Sequence, residues 1–201
     1  LDVLVIGAGM CGIAAAAALM MKGVRKLAVL DAARPGFEGP WRTTARMLTL
    51  RSPKHLPGIA LGVPSLTFRA WYTARRGQVA WDGLYKIFNP DWQEYLSWLQ
   101  GALALPIEHG VAVTRIRPLG GLFAVETSAG VRHARHVVLA TGREGAGGLA
   151  IPGFVDRALW PDRAAHTGEP IDTSRLAGRH VAVLGANASA FDVAAAALEA
   201  G

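Results

Sequence analysis

The chain has 201 residues, 51% of them hydrophobic, with a formal net charge of +6 and one cysteine, Cys11. That length suits one large domain or two small ones around a sizeable core. A lone cysteine excludes an internal disulfide framework and a C-x-x-C redox pair, and it fits a reducing, cytoplasmic compartment. The positive residues, mostly arginines, are scattered rather than gathered in a block. Scattered charge is the mark of a solvated surface, so no nucleic-acid partner is expected.

The chain opens with Val3-Leu4-Val5-Ile6, an apolar run that suits one buried parallel strand. Gly7, Gly9 and Gly12 follow in the spacing G-x-G-x-x-G, and then an alanine-rich helix former, Ile13 to Leu19. Strand, glycine turn and helix in that order form a dinucleotide-binding fingerprint. Gly7 makes the tight turn, Gly9 lets a pyrophosphate approach the backbone, and Gly12 lets the helix pack closely. The helix N-terminus then presents free N–H groups and a positive dipole end to the phosphates. Met21-Lys22-Gly23 is a glycine cap signal. Leu27 to Leu30 reads as a second strand ending in Asp31, 19 residues beyond Gly12. That is close to the place of the acid that binds a ribose hydroxyl. Val3 to Met21 has no charge over 19 residues. Its glycines, five consecutive alanines and missing basic flank argue against a membrane span or signal peptide.

Residues 36–90 are rich in glycine and proline and poor in periodicity, which reads as a long loop that either covers the fold with structural tryptophans or faces a cofactor. Within it stand Gly39-Pro40-Trp41-Arg42, a short strand candidate at Met47 to Leu50, and the basic stretch Arg51-Ser52-Pro53-Lys54-His55. Asn89-Pro90-Asp91 is a helix start, and Trp92, Tyr95, Leu96 and Leu99 form one apolar stripe behind it. Short strands at Val111–Ile116, Leu122–Thr127 and His136–Leu139 read as an antiparallel meander. The last continues as a buried strand into Ala140-Thr141-Gly142. His133 and His136 lie among arginines without a neighbouring carboxylate or cysteine, so they read as surface histidines and no metal is expected. Ile151-Pro152-Gly153 and Trp160-Pro161 mark a linker that contains His166. The opening pattern then returns, with a strand at His180–Leu184, a turn at Gly185–Ala190 and a helix from Phe191 to Ala200. Asn187 stands where the middle glycine belongs; asparagine tolerates the left-handed backbone region. The chain begins on a strand without methionine and stops just past a helix, which reads as an excerpt of a longer protein.

Two such fingerprints, 178 residues apart from Gly7 to Gly185, imply two dinucleotide sites. Over nearly its whole length the chain resembles the two-dinucleotide-fold flavoprotein monooxygenases, the flavin-containing and Baeyer–Villiger enzymes. The resemblance implies an α/β fold. A Rossmann-like, three-layer ββα FAD-binding domain with an antiparallel meander would span 1–158. The start of a second Rossmann-like NAD(P) domain would span 159–201. It further implies that Gly7, Gly9, Cys11, Gly12 and Asp31 bind FAD, with Val113 at the adenine and Ala140, Thr141 and Gly142 near the flavin. The family's G-G-x-W motif has a similar segment in Gly39-Pro40-Trp41-Arg42, which lacks one glycine and the spacer, so Trp41 and Arg42 join the cofactor set. The hallmark F-x-G-x-x-x-H is matched in spacing by Trp160, Asp162 and His166, which makes His166 a functional candidate for coupling the domains. Arg51 stands where some members place an asparagine near the reactive oxygen and is a second catalytic candidate. Gly185, Asn187, Ser189 and Ala190 would bind NADPH or NADH.

The implied activity is an NAD(P)H-dependent monooxygenase that uses a flavin peroxide to oxygenate a small organic substrate. Its partners would be that substrate and O₂, with no nucleic acid and no membrane, and homo-oligomerisation stays open. Two other readings share the fingerprints: a flavoprotein reductase of the disulfide type, and a non-catalytic FAD-binding protein.

Overall fold

The computed structural model describes residues 1–56, 58–143, 145 and 147–201. Strand β1 (Val3–Ile6), helix α1 (Met10–Met21) and strand β2 (Leu27–Asp31) open the chain. Helices α2 (Phe68–Gly83) and α3 (Asn89–Ala102) follow, then strand β3 (Ile107–His109). Next come β4 (Val113–Leu119), β5 (Leu122–Thr127), β6 (Gly130–Ala134) and β7 (His136–Leu139), and the last element is α4 (Ala188–Glu199). A parallel sheet has the order β3-β2-β1-β7, and an antiparallel sheet has the order β4-β5-β6.

Alternation along the strands builds three layers. Val3, Val5, Leu27 and Val29 pack with Ala8 and Ala16 beneath α1. Leu4, Ile6, Ala28 and Leu30 point the other way, onto Val125 and Ala134 of the antiparallel sheet. Helix α1 ends as expected. The Gly23 N–H donates to the Met20 carbonyl and the Val24 N–H to the Leu19 carbonyl, with Gly23 at φ +90°, which is a Schellman cap. The stripe of Trp92, Tyr95, Leu96 and Leu99 is buried against Phe68, Trp71, Tyr72 and Trp81. Ring centroids in this aromatic core lie 5.2–6.4 Å apart. The Tyr95 hydroxyl donates to the Leu66 carbonyl at 2.6 Å.

Four expectations need correction. Residues 36–90 are not irregular throughout, because α2 lies inside them. Thr67 caps it by accepting from the Ala70 N–H, and Phe68, Trp71 and Tyr72 share its buried face. Gly77, at φ +84° and ψ 165°, breaks the helix and with it the periodicity. The strand expected over 47–50 is a single antiparallel bridge between Thr49 and Phe88. The third strand of the meander is β6, not His136–Leu139. The latter crosses to the parallel sheet as β7, where it is an edge strand with Leu139 66% exposed rather than a buried one. Finally, residues 180–184 form no strand, and Leu184 is 75% exposed. An apolar run becomes a strand only when a ladder partner takes its N–H and carbonyl groups. Among the described residues nothing pairs with this one. No helix among them is long and apolar enough to cross a membrane.

Candidate dinucleotide sites

The first glycine turn is held by contacts that explain two of its three glycines. Gly7 has φ +101°, and a Cβ there would lie 2.4 Å from the Ala140 carbonyl oxygen. A Cβ on Gly12 would lie 1.8 Å from the Gly7 carbonyl oxygen. Both positions are closed to a side chain by the fold itself. Gly9 is different. Its φ is −69°, and a Cβ would meet only Gly39, at an ordinary 3.8 Å. The protein leaves a methyl-sized space there that it does not use. Gly9 is the N-cap of α1 and supplies no side-chain cap, so the first-turn amides are free of an intrahelical or capping acceptor. Cys11 is exposed in that turn.

Asp31 closes the turn from the end of β2. Its carboxylate accepts from the Ala8 N–H at 2.6 Å and from the Ala33 N–H at 2.7 Å. A carboxylate has about four acceptor positions, so capacity remains for hydroxyl donors. The Val111 N–H bonds the Asp31 carbonyl at 2.9 Å, which brings the start of β4, with half-buried Val113, beside the acid. Ala140 donates its N–H to the Ile6 carbonyl at 2.8 Å, so Ala140-Thr141-Gly142 leaves the sheet beneath the same turn, with Gly142 at φ +68°.

Loop residue Gly39 lies against Gly9 on the outer side. Trp41 anchors that loop by an edge contact with Trp92, centroids 6.1 Å apart, and so serves the aromatic core. Arg42 is exposed, its guanidinium 5.9 Å from the Phe37 ring centroid. Aligned on Trp41, Gly39 and Pro40 supply the second glycine and the spacer of G-G-x-W. Glu38 replaces the first glycine, which corrects the reading that the spacer is missing.

A second cleft, of about 400 Å³, is lined by His166, Gly185, Asn187, Ser189 and Ala190, together with Arg143. Asn187 is the N-cap of α4, at φ −90° and ψ 172°. This is extended backbone, so the left-handed tolerance of asparagine is not used. Ala190 is buried and fills the third-glycine position, and a Cβ added to Gly185 would lie 3.8 Å from it. His166 Nδ1 accepts from the Gly168 N–H at 3.0 Å, which leaves Nε2 to carry the proton of the neutral ring.

Residues that no motif indicated hold this second region in place. Glu169 accepts from the Trp160 indole N–H at 3.1 Å and from the His166 backbone N–H at 2.6 Å. The Arg46 guanidinium donates to the carbonyls of Thr167 and Glu169. Burial lowers the Arg46 pKa below the usual guanidinium value, and the Asp192 carboxylate offsets part of that. Arg51 is not near the first glycine turn's contacts. Its Nη2 donates to both Asp192 carboxylate oxygens on α4, at 2.7 and 2.9 Å. The structure therefore gathers Gly7, Gly9, Gly12, Asp31 and Ala140 in one place. It gathers His166 with the second turn in another, and Arg51 is tied to α4 behind that turn through Asp192.

The family model described as pyridine nucleotide-disulphide oxidoreductase matches residues 4–201. The FAD-dependent urate hydroxylase of Xanthomonas campestris pv. campestris is 45% identical over 203 residues, covering 100% of this chain and 43% of that protein. A mutant flavin monooxygenase from Stenotrophomonas maltophilia has a TM-score of 0.76 at 24% identity, over 99% of this chain and 54% of its own. Cyclohexanone monooxygenase gives a TM-score of 0.66 at 24% identity, over 97% of this chain and 37% of its own. At that identity the two structures speak for the fold alone. The chain thus spans about half or less of the length of these relatives. A match over residues 4–201 means that the chain belongs to the pyridine nucleotide-disulphide oxidoreductase family.

Proposed function

We propose that the chain is the cofactor-binding portion of an NAD(P)H- and FAD-dependent monooxygenase, with residues 1–158 binding FAD and 159–201 opening the NAD(P) unit. The observation that carries this reading is Gly9, whose missing side chain the fold does not need and a close-lying pyrophosphate does. When bound, FAD supplies the hydride acceptance and oxygen activation that no side chain here provides. The protein's part is to bind and orient. First-turn amides from Met10 to Gly12 donate to the pyrophosphate, with Cys11 flanking them. Asp31 accepts from ribose hydroxyls while its bonds to Ala8 and Ala33 fix its direction. Val113 would form part of the adenine end of the site, and Ala140, Thr141 and Gly142 would form part of its flavin end. Trp41 and Arg42 close the outer side. Gly185, Asn187, Ser189 and Ala190 receive NADPH or NADH, and His166 offers Nε2–H to the ligand in that cleft. Arg51 is the remaining catalytic candidate, held against α4 by Asp192.

The hydroxylase relative makes urate the first substrate to try. The test is a spectrum of the purified full-length protein, followed by NADPH or NADH with and without urate in air. Bound flavin, and nicotinamide oxidation coupled to loss of urate, support the reading. Flavin that binds but is never reduced refutes the catalytic part. A protein that takes up no flavin after reconstitution refutes the assignment of the first site.

A further inference from the structure

Glu38 is a buried carboxylate for which the cofactor assignment gives no role. It is 1% exposed. Its Oε1 lies 2.5 Å from His109 Nε2, and its Oε2 accepts from Gln93 Nε2 at 3.3 Å. Three separate elements meet at this point: the loop before Gly39, the end of β3 and the second turn of α3. Each also reaches the first glycine turn. Gly39 touches Gly9. His109 is the register partner of Asp31 on the neighbouring strand. Helix α3 sends Gln100 Nε2 to the Ala8 carbonyl at 3.4 Å.

A carboxylate taken out of water is costly unless its partners are well placed. Glu38 stands where the G-G-x-W pattern has a small, uncharged glycine. Its burial therefore makes the path of this loop conditional on His109. The connection runs from the strand beside the ribose acid to the wall that faces the Gly9 gap.

We infer that Glu38 and His109 are positioning residues that hold loop 36–42 against the first glycine turn, so that the FAD cleft is formed before FAD arrives. The inference rests on the FAD reading proposed above. Apparent affinity falls in proportion to the fraction of molecules in the competent state. If His109→Phe leaves the loop in place about a tenth of the time, the Kd for FAD rises about tenfold. His109→Gln keeps an N–H donor for Glu38 and is expected to stay within about threefold of the parent.

The experiment titrates FAD into apo full-length protein by flavin fluorescence quenching, with NADP⁺ binding as the control. A tenfold loss for His109→Phe, rescue by His109→Gln and unchanged NADP⁺ binding support the pair. An FAD Kd unmoved by His109→Phe, with only thermal stability reduced, overturns it. Should His109→Phe not fold, hydrogen exchange on the parent apo protein decides. The amides of Phe37, Thr43 and Ala45, which donate to the Arg34 and Pro40 carbonyls of this loop, protected to the same extent with and without FAD support preformation, and the same amides protected only with FAD overturn it. A parent protein that takes up no flavin overturns the reading underneath, whereas flavin uptake indifferent to the variant overturns the pair alone.

Discussion

Replacing Gly9 with alanine separates what the fold needs from what the ligand needs. The added methyl meets only Gly39 Cα and N, at 3.8 Å, and the backbone at φ −69° suits any L residue. Two small effects on stability oppose each other. Alanine reduces the freedom of the unfolded chain, worth about 0.4–1 kcal/mol. It is a poorer N-cap than glycine by a similar amount. The expected change in unfolding free energy is therefore within about 0.5 kcal/mol. The same methyl occupies the space assigned to the pyrophosphate. Displacing the phosphate from one charge-assisted backbone hydrogen bond costs about 1.5–3 kcal/mol, or roughly ten- to a hundredfold in FAD affinity. Urea unfolding of the apo protein and a fluorescence titration of FAD measure the two quantities on one sample. An unchanged FAD Kd in a folded Gly9→Ala protein would refute the assignment. So would a stability loss of several kcal/mol, because the contact geometry would then be wrong.

Gly12→Ala is expected to behave in the opposite way, losing about 3 kcal/mol, the upper end of overpacking costs, even without cofactor. Its Cβ would sit 1.8 Å from the Gly7 carbonyl oxygen, and backbone cannot yield cheaply; an apo-protein melting curve like that of the parent would contradict this. Burial pushes the Tyr95 phenol up to about 12. The folded chain keeps a proton that the unfolded chain releases near pH ~10, so stability should fall as pH rises between about 10 and 12, by at most about 1.4 kcal/mol per unit. Tyr95→Phe removes that slope, and identical alkaline slopes of urea midpoint in the two proteins would count against burial as its cause. Asp192→Asn breaks the Arg51 bridge, whose partners are partly exposed, so global stability should fall by less than about 1 kcal/mol. Hydrogen exchange of α4 should rise at the same time. A larger global loss, or unchanged exchange in α4, would show that the bridge does not hold that helix.

Local pattern was enough for the elements whose stability is local or whose partners repeat the same signal. Strand β1, the Gly7-x-Gly9-x-x-Gly12 turn, α1 with its Gly23 cap, and Asp31 at the end of β2 follow from spacing and residue type, since each is one covalent neighbourhood. The face of α3 followed from its period for the same reason. Helix α2 was legible in principle from Thr67, Phe68, Trp71 and Tyr72, but Gly77 and the glycine- and proline-rich surroundings interrupted the repeat. Strand assignment failed where pairing decides. The run 136–139 joined the parallel sheet, and the equally apolar run 180–184 found no ladder. The long-range partners of the side chains around the two sites were not legible. Glu38 meets His109 across 71 positions, Arg46 reaches Glu169 across 123, and Arg51 reaches Asp192 across 141. A motif records what neighbouring residues must be. Which distant charge satisfies a buried or bridging group is decided only when the layers close on one another, because the cost of leaving that group unpaired exists only in the folded chain.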